Sequence, residues 1–243
     1  MNLNLLSIPF ADRSNRIILP SMKDRLMEIK NLLYRHFGPR KWWPGDSEFE
    51  VCVGAILTQN TAWTNVEKAI ENLKKEKLLS LKNIHSAGEA KIAPLIRPSG
   101  YYNLKAKRLM SLVNYLMSIN GGVTEDGWLD HMKKEKLGTA RESLLAVYGV
   151  GPETADCILL YAAGKASFVI DKYTLRFGER FGIFPVGMTY EEARSFFMTH
   201  LPKSVPLYNE YHAQIVALGN RYCKPKPLCG ECPLDKLCEK RSL

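Results

Sequence analysis

The chain has no long apolar run. Nothing in its 243 residues approaches the roughly 20 consecutive apolar positions of a membrane-crossing helix, so no membrane partner is expected. The first residues, MNLNLLSIPFADRSNR, lack a basic start and carry only a short, interrupted apolar stretch, which makes a poor secretory signal. The reading is an intracellular monomer of the cytoplasm or nucleoid. Cysteine is sparse outside one cluster: of six, four fall in the last 21 residues, and in an intracellular chain disulfides are not expected. Acidic residues are outnumbered, 25 against 34 Lys and Arg, giving a net charge of +9 and a pI near 9.2. That balance suits a polyanionic partner such as nucleic acid, although an ordinary basic protein is equally open on charge alone. Low-complexity linkers, internal repeats and clear strand alternation are missing too, which argues against a sheet-based fold.

What is present is helical periodicity. Residues 21–37 place Met22, Leu26, Ile29, Leu32 and Leu33 on one face, with Ser21 and Asp24 as a start signal and Gly38-Pro39 as a stop. Similar runs cover about 47–58, 63–73, 103–119, 139–147, 153–163, 172–182, 189–200 and 208–221. Thr189 before Glu191 and Glu192 is a second cap signal. The stretch ASFVI at 166–170 reads equally as a short strand or a buried connection. The KKEK runs at 74–77 and 133–136 read as solvated faces. Cys52 and Cys157, inside apolar runs, read as buried thiols.

Two motifs carry chemistry. The first is Gly149-Val150-Gly151-Pro152-Glu153. An acid twenty residues downstream suggests a dinucleotide fingerprint, but the third glycine is missing and the preceding SLLAVY is helical rather than extended. The motif is therefore helix, tight turn, helix. Its glycines let the backbone approach a phosphate closely, at a helix end carrying a positive dipole. The second motif is Cys223, Cys229, Cys232 and Cys238, spaced C-x5-C-x2-C-x5-C. Four thiolates this close imply a metal site. Zinc is the general four-cysteine ligand, but a zinc ribbon uses two CxxC knuckles and only one is present. An iron–sulfur cubane tolerates single-loop spacing of this kind. Lys224 and Lys226, in the first loop beside Arg221, can present cations to phosphates.

Leu145-x3-Gly149-Val150-Gly151-x2-Thr154-Ala155, followed by Val169-Ile170-Asp171, resembles the helix–hairpin–helix DNA glycosylases of the endonuclease III superfamily. The cysteine spacing resembles the family's cluster pattern with one residue fewer in the first gap. GAILTQNT at 54–61 and SGYYNLKAK at 99–107 are similar to two further family segments. The resemblance implies an all-α fold of two helical domains with the active-site cleft between them. Residues 41–168 would form a six-helix barrel with the hairpin at about 140–163, and 1–40 with 169–243 the cluster domain, its loop at 221–239. It implies double-stranded DNA with damaged bases as partner and a [4Fe-4S] cluster on the four cysteines. A monovalent cation on backbone carbonyls of the hairpin is also implied. It assigns Asp171 as the catalytic carboxylate, Gln59 as the residue filling the gap left by a flipped base, and Gly149 and Gly151 as DNA contacts.

The choice of chemistry turns on Glu153. In bifunctional relatives a lysine stands there, and its amine attacks C1′ to form a Schiff base. A carboxylate cannot, so water must attack with Asp171 stabilising the oxocarbenium charge or orienting the water. The plainer role for Asp171 is a helix N-cap. Lys172, directly after it, is the alternative amine nucleophile, although successive helical residues diverge by about 100°. Trp42, Trp43 and Trp63, with Glu153, resemble the lesion pocket of endonuclease III-type 3-methyladenine glycosylases. Electron-rich indoles beside a carboxylate suit purines that N-alkylation has made cationic. The expected activity is monofunctional excision of alkylated purines such as 3-methyladenine and 7-methylguanine. The rivals are a bifunctional glycosylase/lyase for oxidised bases, a non-catalytic damage binder and a zinc-stabilised nucleic-acid module.

Overall fold

The computed structural model describes residues 10–11, 17–18, 21–40, 42–119 and 127–241. Lys41 and most of the N-terminal stretch considered above lie outside these. Eleven α-helices account for most of the described residues, and Phe10–Ala11 pairs antiparallel with Ile17–Ile18. Among the described residues no helix is long and apolar enough to cross a membrane.

The chain divides into two compact units, one of residues 1–42 with 168–243 and one of residues 43–167. Trp42 and Phe168, assigned from sequence to the middle domain, thus fall in the unit built from both ends.

The middle unit is organised around α2 (Glu48–Leu57), whose residues from Phe49 to Leu57 are all buried. A helix that is apolar all round belongs inside. Against it pack α3 (Trp63–Lys75) and α5 (Tyr102–Ile119), and on α5 in turn pack α4 (Leu81–Leu95) and α6 (Gly127–Lys134). The pair α7 (Leu137–Leu145) and α8 (Pro152–Cys157) follows, α8 continuing as a π turn over Ile158–Ala162. Inside α4, Gly88 leaves the helical region with φ +73° and Pro94 removes a donor, which hides this helix from a periodicity search. The α7–α8 hairpin is locked by a buried charge pair. Arg141 on α7 donates from Nε and Nη2 to Asp156 on α8 at 3.0 and 3.1 Å, and the Ser167 hydroxyl donates to the same carboxylate. Asp156 and Ser167 are fully buried.

The terminal unit comprises α1 (Met22–Phe37), α9 (Lys172–Phe181), α10 (Tyr190–His200) and α11 (Val205–Arg221). Ser21 and Asp24 form a capping box on α1, and Gly38 stops it at φ +69°. Thr189 and Glu192 cap α10 in the same way. Leu26, Ile29 and Leu33 of α1 are buried, and Tyr211 of α11 donates its hydroxyl to Leu26 O at 2.9 Å. Residues 166–170 form a buried connection and not a strand. Phe168 stacks on Phe197 with ring centres 4.1 Å apart.

Removing one partner of a buried pair strands the other charge, which costs about 3–5 kcal/mol. Asp156→Ala is therefore expected to lower stability by about that amount, and Ser167→Ala by only about 1 kcal/mol, in urea titrations.

Candidate functional site

The hairpin turn draws several sequence-assigned residues together. Gly149 has φ +84°, and a Cβ there would sit 2.1 Å from Cγ of Arg108 on α5. Glycine is demanded twice over, by backbone conformation and by close approach. Gly151 is extended and precedes α8, whose first turn carries the exposed Glu153. Gln59 lies in the turn after α2. Its Nε2 donates to Gly149 O at 2.9 Å and to Thr154 Oγ1 at 3.0 Å, and its Oε1 accepts from Arg108 Nη1 at 2.5 Å.

Behind this turn Lys105 is buried, 1% exposed, with Nζ donating to Leu57 O at 2.7 Å and Ser99 O at 2.6 Å. Burial, helped by the charge of Arg108, pulls its ammonium down to about 8. Sequence reasoning saw only a family element in SGYYNLKAK. A lysine placed among apolar residues of that helix was the available signal for a buried amine.

Trp63 opens α3, so it does not share a helix with Gln59 as the i, i+4 spacing suggests. It meets Trp43 edge-to-face, ring centres 5.2 Å apart at 90°, and donates Nε1 to Glu67 at 2.9 Å. Trp43 also packs on Tyr161 at 5.3 Å, and its ring lies close enough to Gly54 that a Cβ there would touch it at 3.4 Å. Trp43, Trp63, Glu50 and Glu67 line one open cavity in this unit. Trp42 is half-buried in the terminal unit.

In the terminal unit Asp171 is the N-cap of α9. Its Oδ1 accepts from Thr174 N at 2.7 Å and from Thr174 Oγ1 at 2.8 Å. The capping role raised from sequence is therefore real, and it occupies one oxygen. Toward Oδ2 stands His212 of α11, with Nε2 3.7 Å away and only 5% of its side chain exposed. Burial holds His212 below the usual imidazole range, against the pull of the Asp171 charge. His212 was missed from sequence, since no spacing rule links α11 to the start of α9. Lys172 is exposed, with Nζ 5.5 Å from the Tyr173 ring centre.

The far end of α9 holds the cysteine segment. Arg176 donates to Cys223 O at 2.6 Å, and Arg180 to Lys224 O at 2.6 Å and Pro225 O at 3.1 Å. Lys224 and Lys226 are exposed. Among the described residues no group of three or more His, Cys, Asp or Glu is gathered tightly enough for a single metal ion. All four cysteines nevertheless line one cavity with Phe177 and Leu234. Burial first, then the neighbouring sulfurs, push the Cys232 thiol up to about 11. Four cysteine sulfurs lining one cavity are a donor set of the kind that holds a metal centre.

The sequence profile of the HhH-GPD superfamily, described as base excision DNA repair proteins, matches residues 53–203. A protein of Methanocaldococcus jannaschii, whose name assigns it provisionally as a DNA repair glycosylase, is 44% identical over 215 residues, 88% of this chain and 96% of its own. Endonuclease III of Thermotoga maritima is 30% identical over 192 residues, 79% of this chain and 82% of its own. Among solved structures, the 3-methyladenine DNA glycosylase of H. pylori bound to 1,N6-ethenoadenine matches with TM-score 0.68 and 33% identity, covering 82% of this chain and 97% of that one. The chain belongs to the HhH-GPD superfamily of base excision DNA repair proteins and is a DNA glycosylase of that superfamily.

A histidine whose folded pKa is depressed binds fewer protons than the unfolded chain does below pH 6.5. Its contribution to stability is lost as pH falls through that window. Unfolding temperature is expected to fall as pH drops below about 6.5, and His212→Gln is expected to flatten that fall.

Proposed function

We propose that this DNA glycosylase is monofunctional and removes N-alkylated purines, 3-methyladenine and 7-methylguanine, from duplex DNA. The observation that carries the reading is Glu153. It stands on the first turn of α8, immediately beyond the glycine turn, where bifunctional relatives place their lysine amine. Without that amine, water is the nucleophile. Trp43 and Trp63 support the substrate class: two perpendicular indoles with Glu67 on one Nε1 make an electron-rich wall for a cationic base. The H. pylori relative, named as a 3-methyladenine glycosylase, supports it as well.

A base must leave the stack before its glycosidic bond can be reached. Gln59 fills the gap, and the hairpin at Gly149 and Gly151 holds the strand through backbone contacts that read no sequence. Asp171 stabilises the positive charge that grows on the sugar as the bond breaks, and it orients the attacking water. Its Oδ1 is committed to the cap, so Oδ2 is the oxygen available. Cys223, Cys229, Cys232 and Cys238 hold a [4Fe-4S] cluster that, when bound, staples the C-terminal segment. Arg176 and Arg180 keep that segment on α9, and Lys224 and Lys226 face the phosphates.

The test uses end-labelled duplex DNA with one 7-methylguanine. An enzyme-dependent break is expected only after mild alkali. A break without alkali would transfer the chemistry to Lys172, and no break in either lane would remove alkylpurines from the reading. Asp171→Asn separates the two roles of the carboxylate, because asparagine caps a helix as well as aspartate does. Excision is expected to fall by roughly 100-fold or more with little change in unfolding temperature. Retained excision would leave Asp171 as a cap only.

A further inference from the structure

Gln59 is engaged at every polar atom of its side chain. Two of its partners, Gly149 O and Thr154 Oγ1, belong to the hairpin, and the third is the guanidinium of Arg108. A side chain in this position is not free to enter DNA. The next residue, Asn60, is in the left-handed region at φ +55°, which marks a turn held by its surroundings. The stem of Arg108 lies against Gly149, and its Nε is buried with no hydrogen-bond partner. An unused donor on a permanent cation points to a second arrangement for the guanidinium. Lys107, the preceding residue on α5, sits with Nζ 5.3 Å from the ring centre of the exposed Tyr148, directly before the glycine turn. Two cations of α5 thus flank the turn that the family uses on DNA, and one of them is tied up by a neutral amide.

We propose that Arg108 is a phosphate-binding residue masked by Gln59 in the DNA-free protein, and that transfer of its guanidinium from the Gln59 amide to a backbone phosphate releases Gln59. A phosphate is the stronger acceptor, since it adds an opposite charge and can take two parallel N–H bonds from the guanidinium, where the amide offers one neutral oxygen. The exchange couples arrival of the strand at the hairpin to freeing of the side chain that follows it into the duplex. The proposal rests on the reading of Gln59 as gap filler only for its last step; the phosphate contact stands without it.

The test measures binding of the full-length protein to duplex DNA across a salt series, with 2-aminopurine beside an abasic-site analogue reporting extrusion. Arg108→Met keeps a stem against Gly149 and removes the charge. Its salt slope is expected to fall by about one phosphate contact, and extrusion to slow. Arg108→Lys, which restores a charge, is expected to recover the slope at a similar unfolding temperature. Gln59→Ala is expected to keep the full slope and lose the extrusion signal. An unchanged slope in Arg108→Met would overturn the proposal, since the guanidinium would then stay on Gln59. A full slope with normal extrusion in Gln59→Ala would overturn the release step alone and leave the phosphate contact standing. Should Arg108→Met fail to fold, Arg108→Gln gives the same reading of the slope.

Discussion

The side chain of Arg108 lies where a β-carbon on Gly149 would have to be. That contact makes the residue glycine, sets the left-handed turn, and brings the guanidinium onto Gln59. Around it the middle unit is arranged to keep the turn still. Lys105, one turn earlier on the same helix, holds the last carbonyl of α2. The Arg141–Asp156 pair fixes the two hairpin helices against each other, and Ser167 fastens the chain that leaves the hairpin. Each of these is a buried polar contact in an otherwise apolar unit. Such contacts are costly to break and specific about geometry, which suits a turn proposed to meet a phosphate through its backbone.

In the terminal unit α9 does comparable work. Its first residue is preceded by a carboxylate that caps it, and its last turn carries an arginine that holds the cysteine loop. Tyr173 packs where a β-carbon on Gly219 would collide with it, so α9 and α11 lie close and His212 comes to face Asp171. The placing of the Asp171 carboxylate and the anchoring of the cysteine segment therefore both depend on one ten-residue helix. A cluster that orders the C-terminal segment would in this way steady the element that carries Asp171.

Much of this was legible in the sequence, and the rest was hidden for physical reasons. Helices with one apolar stripe and a cap, such as α1 and α10, are read directly from residue spacing. The hairpin was legible because the preceding SLLAVY is helical and the third glycine of a dinucleotide fingerprint is missing. The helix α4 was not, because Gly88 and Pro94 break its period, and α6 is too short to show one. Residues 166–170 read ambiguously because a buried connection and a buried strand have the same apolar composition. Pairs between residues far apart in the chain, Arg108 with Gln59, Arg141 with Asp156 and His212 with Asp171, leave no local signature at all. Gln59 and Trp63 are four apart, the spacing of one helical face, but a turn and not a helix separates them.

Under the proposed function, base removal proceeds by water and not by an amine. The most direct test is borohydride trapping during turnover on duplex DNA bearing 7-methylguanine, with released base and protein–DNA adduct measured in the same reaction. Released base without adduct is the expected result. An adduct that disappears in Lys172→Gln would contradict it, since an amine would then have attacked C1′.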